Sequence, residues 1–267
     1  MLVDEPRVVL TGATGGLGRA LAERLAARRA SVLLSDIDEG ALGEVAEFVS
    51  RGGGKALTAV CDVAKASEVA ALRERAEKDL GGVDLVINNA GVAVGGQIGA
   101  IPLEDWDWIM GVNLWGVIYG CHEFVPLMRR QGTGHVLNVA SIAGMIHGPE
   151  MGPYNATKAA VVALSETLYG ELRGSGVGLT VRCPYCFKTN IHRAARATPH
   201  TIEKLMTKSP VQASEVAELA LVACKRDELH CLPHREAKAM SAIKRLSPTL
   251  LYDVLMPRVE KLMQRGE

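Results

Sequence analysis

The chain has 267 residues and carries 30 Lys+Arg against 30 Asp+Glu, a formal net charge of zero. That balance gives no electrostatic case for nucleic acid or an anionic membrane as partner, and no apolar run reaches the roughly 18 residues a membrane-spanning helix needs. With 48% hydrophobic and 22% charged residues, it reads as a globular protein with a sizeable core, long enough for one large α/β domain. Six cysteines without a framework spacing, and a Met1–Arg7 start too short and acidic for a signal peptide, place it in a reduced, cytoplasmic setting.

Short apolar runs alternate with longer helical patterns. The runs are Val8–Leu10, Val32–Leu34, Leu57–Val60, Leu85–Ile87, Val136–Val139 and Leu179–Val181. Each is short and β-branched or Leu-rich, as strands covered on both faces of a parallel sheet are. Helices are expected at about Gly18–Arg29, Glu39–Arg51, Ser67–Leu80, Glu104–Arg130, Pro153–Arg173 and Ala213–Lys225. Ser67 reads as the N-cap of the third and Asp38 as that of the second. The alternation implies an α/β doubly wound, Rossmann-type sheet with helices on both faces. With no repeat or linker, residues 1–267 are expected to form a single dinucleotide-binding and catalytic domain. Residues 190–209 are expected to act as a substrate lid, and residues 236–267 as a C-terminal helical extension packed on the body or on a neighbouring subunit.

After the first run comes Thr11-Gly12-Ala13-Thr14-Gly15-Gly16-Leu17-Gly18 and then a helix. Close approach to a pyrophosphate needs residues without side chains, and the following helix offers free N–H groups to phosphate oxygens. Gly12, Thr14, Gly15, Gly16, Leu17 and Gly18 are therefore expected to bind a dinucleotide. The second run ends at Asp36-Ile37, where a carboxylate eighteen residues past Gly18 can accept both hydroxyls of an adenosine ribose and repel a 2′-phosphate. No Lys or Arg is adjacent, so the cofactor is expected to be NAD.

Tyr154-Asn155-Ala156-Thr157-Lys158 sets a phenol and an ammonium four residues apart, on one face of a helix. The flanking sequence is apolar, and a buried Lys beside a Tyr is costly unless it has a use. Taken with the glycine loop, Asn88-Asn89-Ala90-Gly91, and Ser141 thirteen residues before Tyr154, this string resembles the short-chain dehydrogenase/reductase family. Asp62-Val63 and Asn113-Leu114-Trp115-Gly116 extend the likeness, which runs to about Arg226.

The resemblance implies a seven-stranded parallel sheet and a nicotinamide cofactor. It implies a catalytic set of Ser141, Tyr154 and Lys158 with Asn113 as fourth member. Tyr154 would be the general acid in ketone reduction and the base in alcohol oxidation. A phenol with pKa near 10 must fall by about three units to work near pH 7, roughly 4 kcal/mol. An ammonium at about 5 Å supplies roughly 3 kcal/mol at an effective dielectric of ~20. Ser141 would hold the reacting oxygen, Lys158 the nicotinamide ribose, and Asn113 a water leading from Lys158 to solvent. Asp62 and Val63 would meet the adenine, and Asn89, Ala90 and Gly91 would line the cofactor groove.

After the sixth run the family's P-G-x-V-x-T reads Pro184-Tyr185-Cys186-Phe187-Lys188-Thr189 here. Pro184, Phe187 and Thr189 are assigned to the nicotinamide end, where Tyr185 and Phe187 would either narrow the pocket or add an aromatic wall. Cys183-Pro184-Tyr185-Cys186 is read as two packed thiols, since Cys183 ends a strand and does not open a helix; no second ligand pair suggests a metal. Phe187, Tyr185, Met145, Ile146 and Met151 point to a lipophilic or aromatic secondary alcohol. The family's long fifth and sixth helices pair between subunits, which implies a homotetramer or dimer. The alternatives are an NADP(H)-dependent carbonyl reductase and a non-catalytic nucleotide-binding scaffold; the scaffold's sign would be loss of Tyr154 or Lys158.

Overall fold

The structure, a computed structural model, describes residues 4–185, 187, 195–196, 209–231, 235–255 and 257. Nine strands and eight α-helices are described among them. In chain order they are β1 (Arg7–Thr11), α1 (Gly16–Ala26), β2 (Ser31–Asp36), α2 (Glu39–Arg51), β3 (Lys55–Val60), α3 (Ala66–Leu80), β4 (Leu85–Asn88) and β5 (Ala93–Val94). There follow α4 (Leu103–Met110), α5 (Gly116–Gln131), β6 (Gly134–Val139), α6 (Gly152–Glu171), β7 (Val177–Arg182), β8 (Ala195–Arg196), α7 (Ala213–Lys225), β9 (His230–Cys231) and α8 (Arg235–Leu246).

Seven strands form one sheet in the order β3-β2-β1-β4-β6-β7-β9, every pair parallel. The apolar runs become strands because each residue in turn meets a different helix layer. Val9, Leu33, Val86, Val136 and Leu179 pack on the face of α3, α5 and α6. Val8, Leu10, Val32, Leu34, Ile87 and Leu137 pack on the face of α1, α2 and α7. The order reverses between β1 and β4, and the crevice at their carboxyl ends is the usual place for a ligand in such sheets.

Local details depart from the sequence reading. The helix expected over Glu104–Arg130 is broken: α4 ends at Met110, a π-helical turn spans Gly111–Trp115, and α5 follows. Apolar periodicity runs on through that turn, so the sequence gives no break. Ser67 is not the cap of α3, whose N-cap is Lys65 with no side-chain cap bond; Lys65 instead holds Glu68 at 2.8 Å. Asp38 does cap α2, accepting from the Ala41 amide at 3.0 Å. β5 and β8 form a separate two-stranded parallel ribbon that no periodicity announces at two residues per strand. The segment expected as a lid lies outside the described residues except for Ala195, Arg196 and Ser209, as do Cys186 and Thr189.

Candidate active site

One cavity of about 600 Å³ opens along the carboxyl ends of the strands, within the range of small-molecule and cofactor sites. Its floor at one end is the glycine loop. Gly12 adopts φ +64°, and a Cβ there would stand 2.6 Å from the Ala90 Cα; at Gly18 a Cβ would stand 2.0 Å from the Gly12 oxygen. Side chains are therefore excluded at both positions, and β1, β4 and α1 can converge. The N-cap of α1, Gly15, has no side chain to satisfy the first N–H groups, which leaves the helix end to an anion.

Asn89 fixes this loop to β4. Its side-chain amide donates to the Thr11 and Gly12 carbonyls at 3.0 and 2.9 Å, while the Asn89 and Ala90 amides donate to the Thr11 hydroxyl at 3.1 and 3.2 Å. Asp36 closes the far side: its Oδ2 accepts from the Thr14 amide at 3.0 Å and hydroxyl at 2.7 Å, and its Oδ1 from the Ile37 amide at 2.8 Å. The guanidinium of Arg19 binds the Thr14 carbonyl at 3.0 Å and Glu44 at 3.0 Å. Asp62, Val63 and Cys61 form the next wall. Burial pushes the Cys61 thiol up to about 11, so it stays protonated.

At the other end stand Ser141, Tyr154 and Lys158. Ser141 follows β6, and its hydroxyl accepts from the Ala143 amide at 3.1 Å, capping a 3₁₀ turn over Ile142–Gly144. It is thus both a turn cap and a cavity residue, and the hydroxyl keeps its own proton to donate. Tyr154 and Lys158 lie one turn apart on α6, with the ammonium 5.7 Å from the centroid of the phenol ring. Lys158 is 3% exposed, and burial pulls it down from 10.5 to about 8. A Cβ on Gly91 would stand 3.4 Å from Asn113 Oδ1 and 3.6 Å from Lys158 Nζ, in ordinary contact with both, so the Gly91 backbone runs directly beside the ammonium.

Asn113 is fully buried and stands one layer behind the cavity wall. Its Oδ1 accepts from the Val92 amide at 2.8 Å and its Nδ2 donates to the Val92 carbonyl at 2.9 Å. A π-helical turn adds a residue to the helix and re-aims a side chain; here it turns Asn113 onto the strand-end backbone. The side chain clamps Val92, a contact that the sequence reading of Asn113 as the anchor of a water beside Lys158 did not include.

All the other site residues named from the sequence line this cavity where they are described: the glycine loop, Asp36, Ile37, Asp62, Val63, Asn89, Ala90, Gly91, Pro184 and Phe187. Tyr185 needs no left-handed backbone where the family has glycine, since it is not among the positive-φ residues. Phe187 packs into the core beside Leu137 and Val216. Ile146 and Met151 line the substrate end, but Met145 does not; it packs on the core instead. Sequence reasoning missed Trp108 and Met240, which reach the cavity from α4 and α8. Cys183 is fully buried and its thiol is pushed up to about 12 by that burial; Cys186, the other thiol of the pair, lies outside the described residues. Among the described residues no cluster of His, Cys, Asp or Glu could hold a metal ion, and no helix is long and apolar enough to cross a membrane.

A doubly wound sheet with a glycine loop at its switch point, and a Tyr–Lys pair over the same cavity, defines a nicotinamide-dependent oxidoreductase. Residues 6–200 match the short chain dehydrogenase family, and the chain belongs to the short-chain dehydrogenase/reductase family. It is 36% identical over 193 residues to a "CLA biosynthesis dehydrogenase/reductase" of Lactiplantibacillus plantarum, covering 71% of this chain and 68% of that protein. It is 34% identical over 265 residues to a "Probable oxidoreductase EphD" of Mycobacterium tuberculosis, covering 94% of this chain but 45% of that longer protein. A crystal structure of a short chain dehydrogenase/reductase from Burkholderia phymatum in complex with NAD superposes with a TM-score of 0.88 at 34% identity, covering 94% of this chain and 96% of that one.

Proposed function

We propose that the protein is an NAD(H)-dependent oxidoreductase that interconverts a lipophilic or aromatic secondary alcohol and its ketone. The observation that carries this is the joint placement of Ser141, Tyr154 and Lys158 in the cavity that also holds the glycine loop and Asp36. The cradle fits a dinucleotide: Gly12 and Gly18 leave no space for a Cβ, and an open helix N-terminus stands beside them.

When bound, the nicotinamide accepts or supplies the hydride. In reduction, the Tyr154 phenol gives its proton to the carbonyl oxygen, and in oxidation the phenolate takes the hydroxyl proton. Ser141 donates a hydrogen bond to the same oxygen, orienting it toward the phenol. Lys158, one helical turn away, favours the phenolate by its charge and holds the ribose hydroxyls. Asn113 sets the position of Val92 and through it the wall opposite Lys158. Pro184, Phe187 and Thr189 are assigned to the nicotinamide end, and Asp62 and Val63 to the adenine.

The choice of NAD rests on Asp36. Its carboxylate stands at the end of β2, and Arg19, the nearby guanidinium, is already engaged by Glu44. The NAD complex of the Burkholderia phymatum relative supports the same cofactor. The apolar substrate end, built from Trp108, Ile146 and Met151, supports a substrate without charge. On this reading the chain is one cytoplasmic domain and a homo-oligomer, with Trp115 offering half-exposed aromatic surface stacked on Tyr119 at 5.6 Å. The test is a screen of secondary alcohols and ketones with NAD(H) and NADP(H), with Tyr154→Phe as control. Absence of nicotinamide-linked turnover across neutral apolar substrates would overturn it.

A further inference from the structure

We propose that α8, which lies beyond the residues matched to the family, is the specificity-determining wall of the cavity, and that Lys244 is the positioning residue that holds it there. This rests on the reading of the cavity's substrate end given above. Three residues of α8 at helical spacing face the segment that follows the Ser141 turn. Met240 lines the cavity. The Ser241 hydroxyl points at the Met145 sulfur at 3.9 Å. The Lys244 ammonium donates to the Met145 carbonyl and stands 3.0 Å from His147 Nε2.

The histidine makes this contact directional. Its Nδ1 lies 2.9 Å from the Ala143 carbonyl, which can only accept, so Nδ1 carries the hydrogen and Nε2 accepts from Lys244. Ala143 is also the residue whose amide donates to the Ser141 hydroxyl. Lys244 is therefore linked through the His147 ring to the Ala143 carbonyl, and the same residue's amide holds the Ser141 hydroxyl. The His147 amide donates to the Tyr252 hydroxyl at 3.0 Å, from the π-helical turn Leu250–Leu255 whose Leu251 is fully buried. The C-terminal segment thus grips residues 145–147 at several polar points.

These grips matter because the described side chains of α8 are at most half-buried. None of its described side chains from 238 to 246 is buried, and Leu246 is 88% exposed. A helix without a buried stripe takes its position from its few specific contacts. What it presents to the cavity is a methionine, and Met151, Ile146 and Trp108 line the same cavity. Unbranched, polarizable Met side chains adapt to apolar groups of varied outline. Among the described residues, Lys158 is the sole charged side chain lining this end; Asp36 and Asp62 belong to the glycine-loop end. The wall therefore fits the larger apolar substituent of a ketone, and its distance from Ser141 is set by Lys244.

The test uses the full-length protein with NADH, in wild type, Lys244→Met, Lys244→Arg and Met240→Ala. Calorimetry reads the affinity for a small ketone, cyclohexanone, and for a bulky bicyclic one, camphor, so discrimination is measured whether or not turnover follows. Lys244→Met and Met240→Ala should each change the ratio of the two affinities at least fivefold with NADH affinity unchanged, and Lys244→Arg should restore part of it. Hydrogen exchange at the Ala143 and His147 amides should quicken at least tenfold in Lys244→Met and not in Met240→Ala. An unchanged ratio in Met240→Ala overturns the wall, and wild-type exchange in Lys244→Met overturns the positioning role. Intact discrimination without turnover in wild type counts against the proposed reaction alone.

Discussion

The Lys158 ammonium donates to the Val139 carbonyl at 3.0 Å, which ties the helix carrying Tyr154 to the last residue of β6. The tie fixes where the cation sits, and its depth takes water away from that cation. Lys158 consequently titrates near 8, not at 10.5. The folded protein binds fewer protons at this site than the unfolded chain between those two values. Burying the charge costs stability below pH 8, and the cost vanishes as pH rises toward 10.5. The difference is up to about 3 kcal/mol at 1.36 kcal/mol per pKa unit. Denaturant unfolding of the cofactor-free wild type and of Lys158→Met should show the variant's relative advantage shrinking by roughly that much between pH 7 and pH 10. A constant difference across that span would mean the site is wetter than its burial implies.

Tyr154→Phe should lower kcat by about 10²–10⁴ while NADH binds as before, since it removes a general acid and leaves the glycine loop untouched. Fluorescence titration with NADH and steady-state rates separate the two effects. Retention of more than about a tenth of wild-type turnover would remove Tyr154 from the chemistry.

Cofactor choice should turn on Asp36. A 2′-phosphate about 5 Å from its carboxylate would be repelled by roughly 3 kcal/mol per charge at an effective dielectric of ~20, less after screening. A preference for NAD of about tenfold or more should survive, since 1.4 kcal/mol is tenfold. Asp36→Ala should erode it and also loosen Thr14, which donates two hydrogen bonds to that carboxylate. Adding Ile37→Arg, at a position 71% exposed, should begin to favour NADP through a charge-assisted bond. The measurement is kcat/KM with each cofactor; equal efficiency with NADP in wild type would show that Arg19 can leave Glu44 for the phosphate.

Arg182 is fully buried, its Nε and Nη2 find no hydrogen-bond partner among the described residues, and its Nη1 meets the Cys231 sulfur at 2.6 Å. Burial holds its pKa below the usual value. A buried cation so poorly partnered is costly, and replacing such groups with apolar residues of similar size is often neutral or stabilising by about 1–4 kcal/mol. Arg182→Met should therefore fold with equal or higher stability in urea unfolding. A loss beyond about 2 kcal/mol would mean the guanidinium has an anionic partner in solution.

The sequence made most of the sheet and the candidate reacting groups legible, because both depend on local pattern. Strands covered on two faces carry apolar residues at successive positions, so the centres of β1, β2, β4 and β6 stand out. Tyr154 and Lys158 are legible because one helical turn must separate them. The clamp made by Asn113 is hidden, since a π-helical turn leaves the apolar period of α4 and α5 unbroken. Trp108 and Met240 are hidden for a different reason: each is an ordinary apolar residue on its helix, and only packing across the chain brings them to one cavity. The ribbon of β5 and β8 is too short to leave any alternation.

A chain emerging from the ribosome meets this sheet in two instalments. The first 88 residues complete four adjacent strands, β3-β2-β1-β4, with the glycine loop and Asp36 already in place. The strand that must lie beside β4 is β6, and it begins only at Gly134. At about 5–20 residues per second, some 2–10 s of synthesis separate the two. During that interval Leu85–Asn88, buried throughout in the finished protein, presents a bare apolar edge of the kind that pairs with foreign strands. The nascent protein thus holds its glycine loop and Asp36 before Ser141, Tyr154 and Lys158 have been made, and that interval is when a chaperone has most to protect.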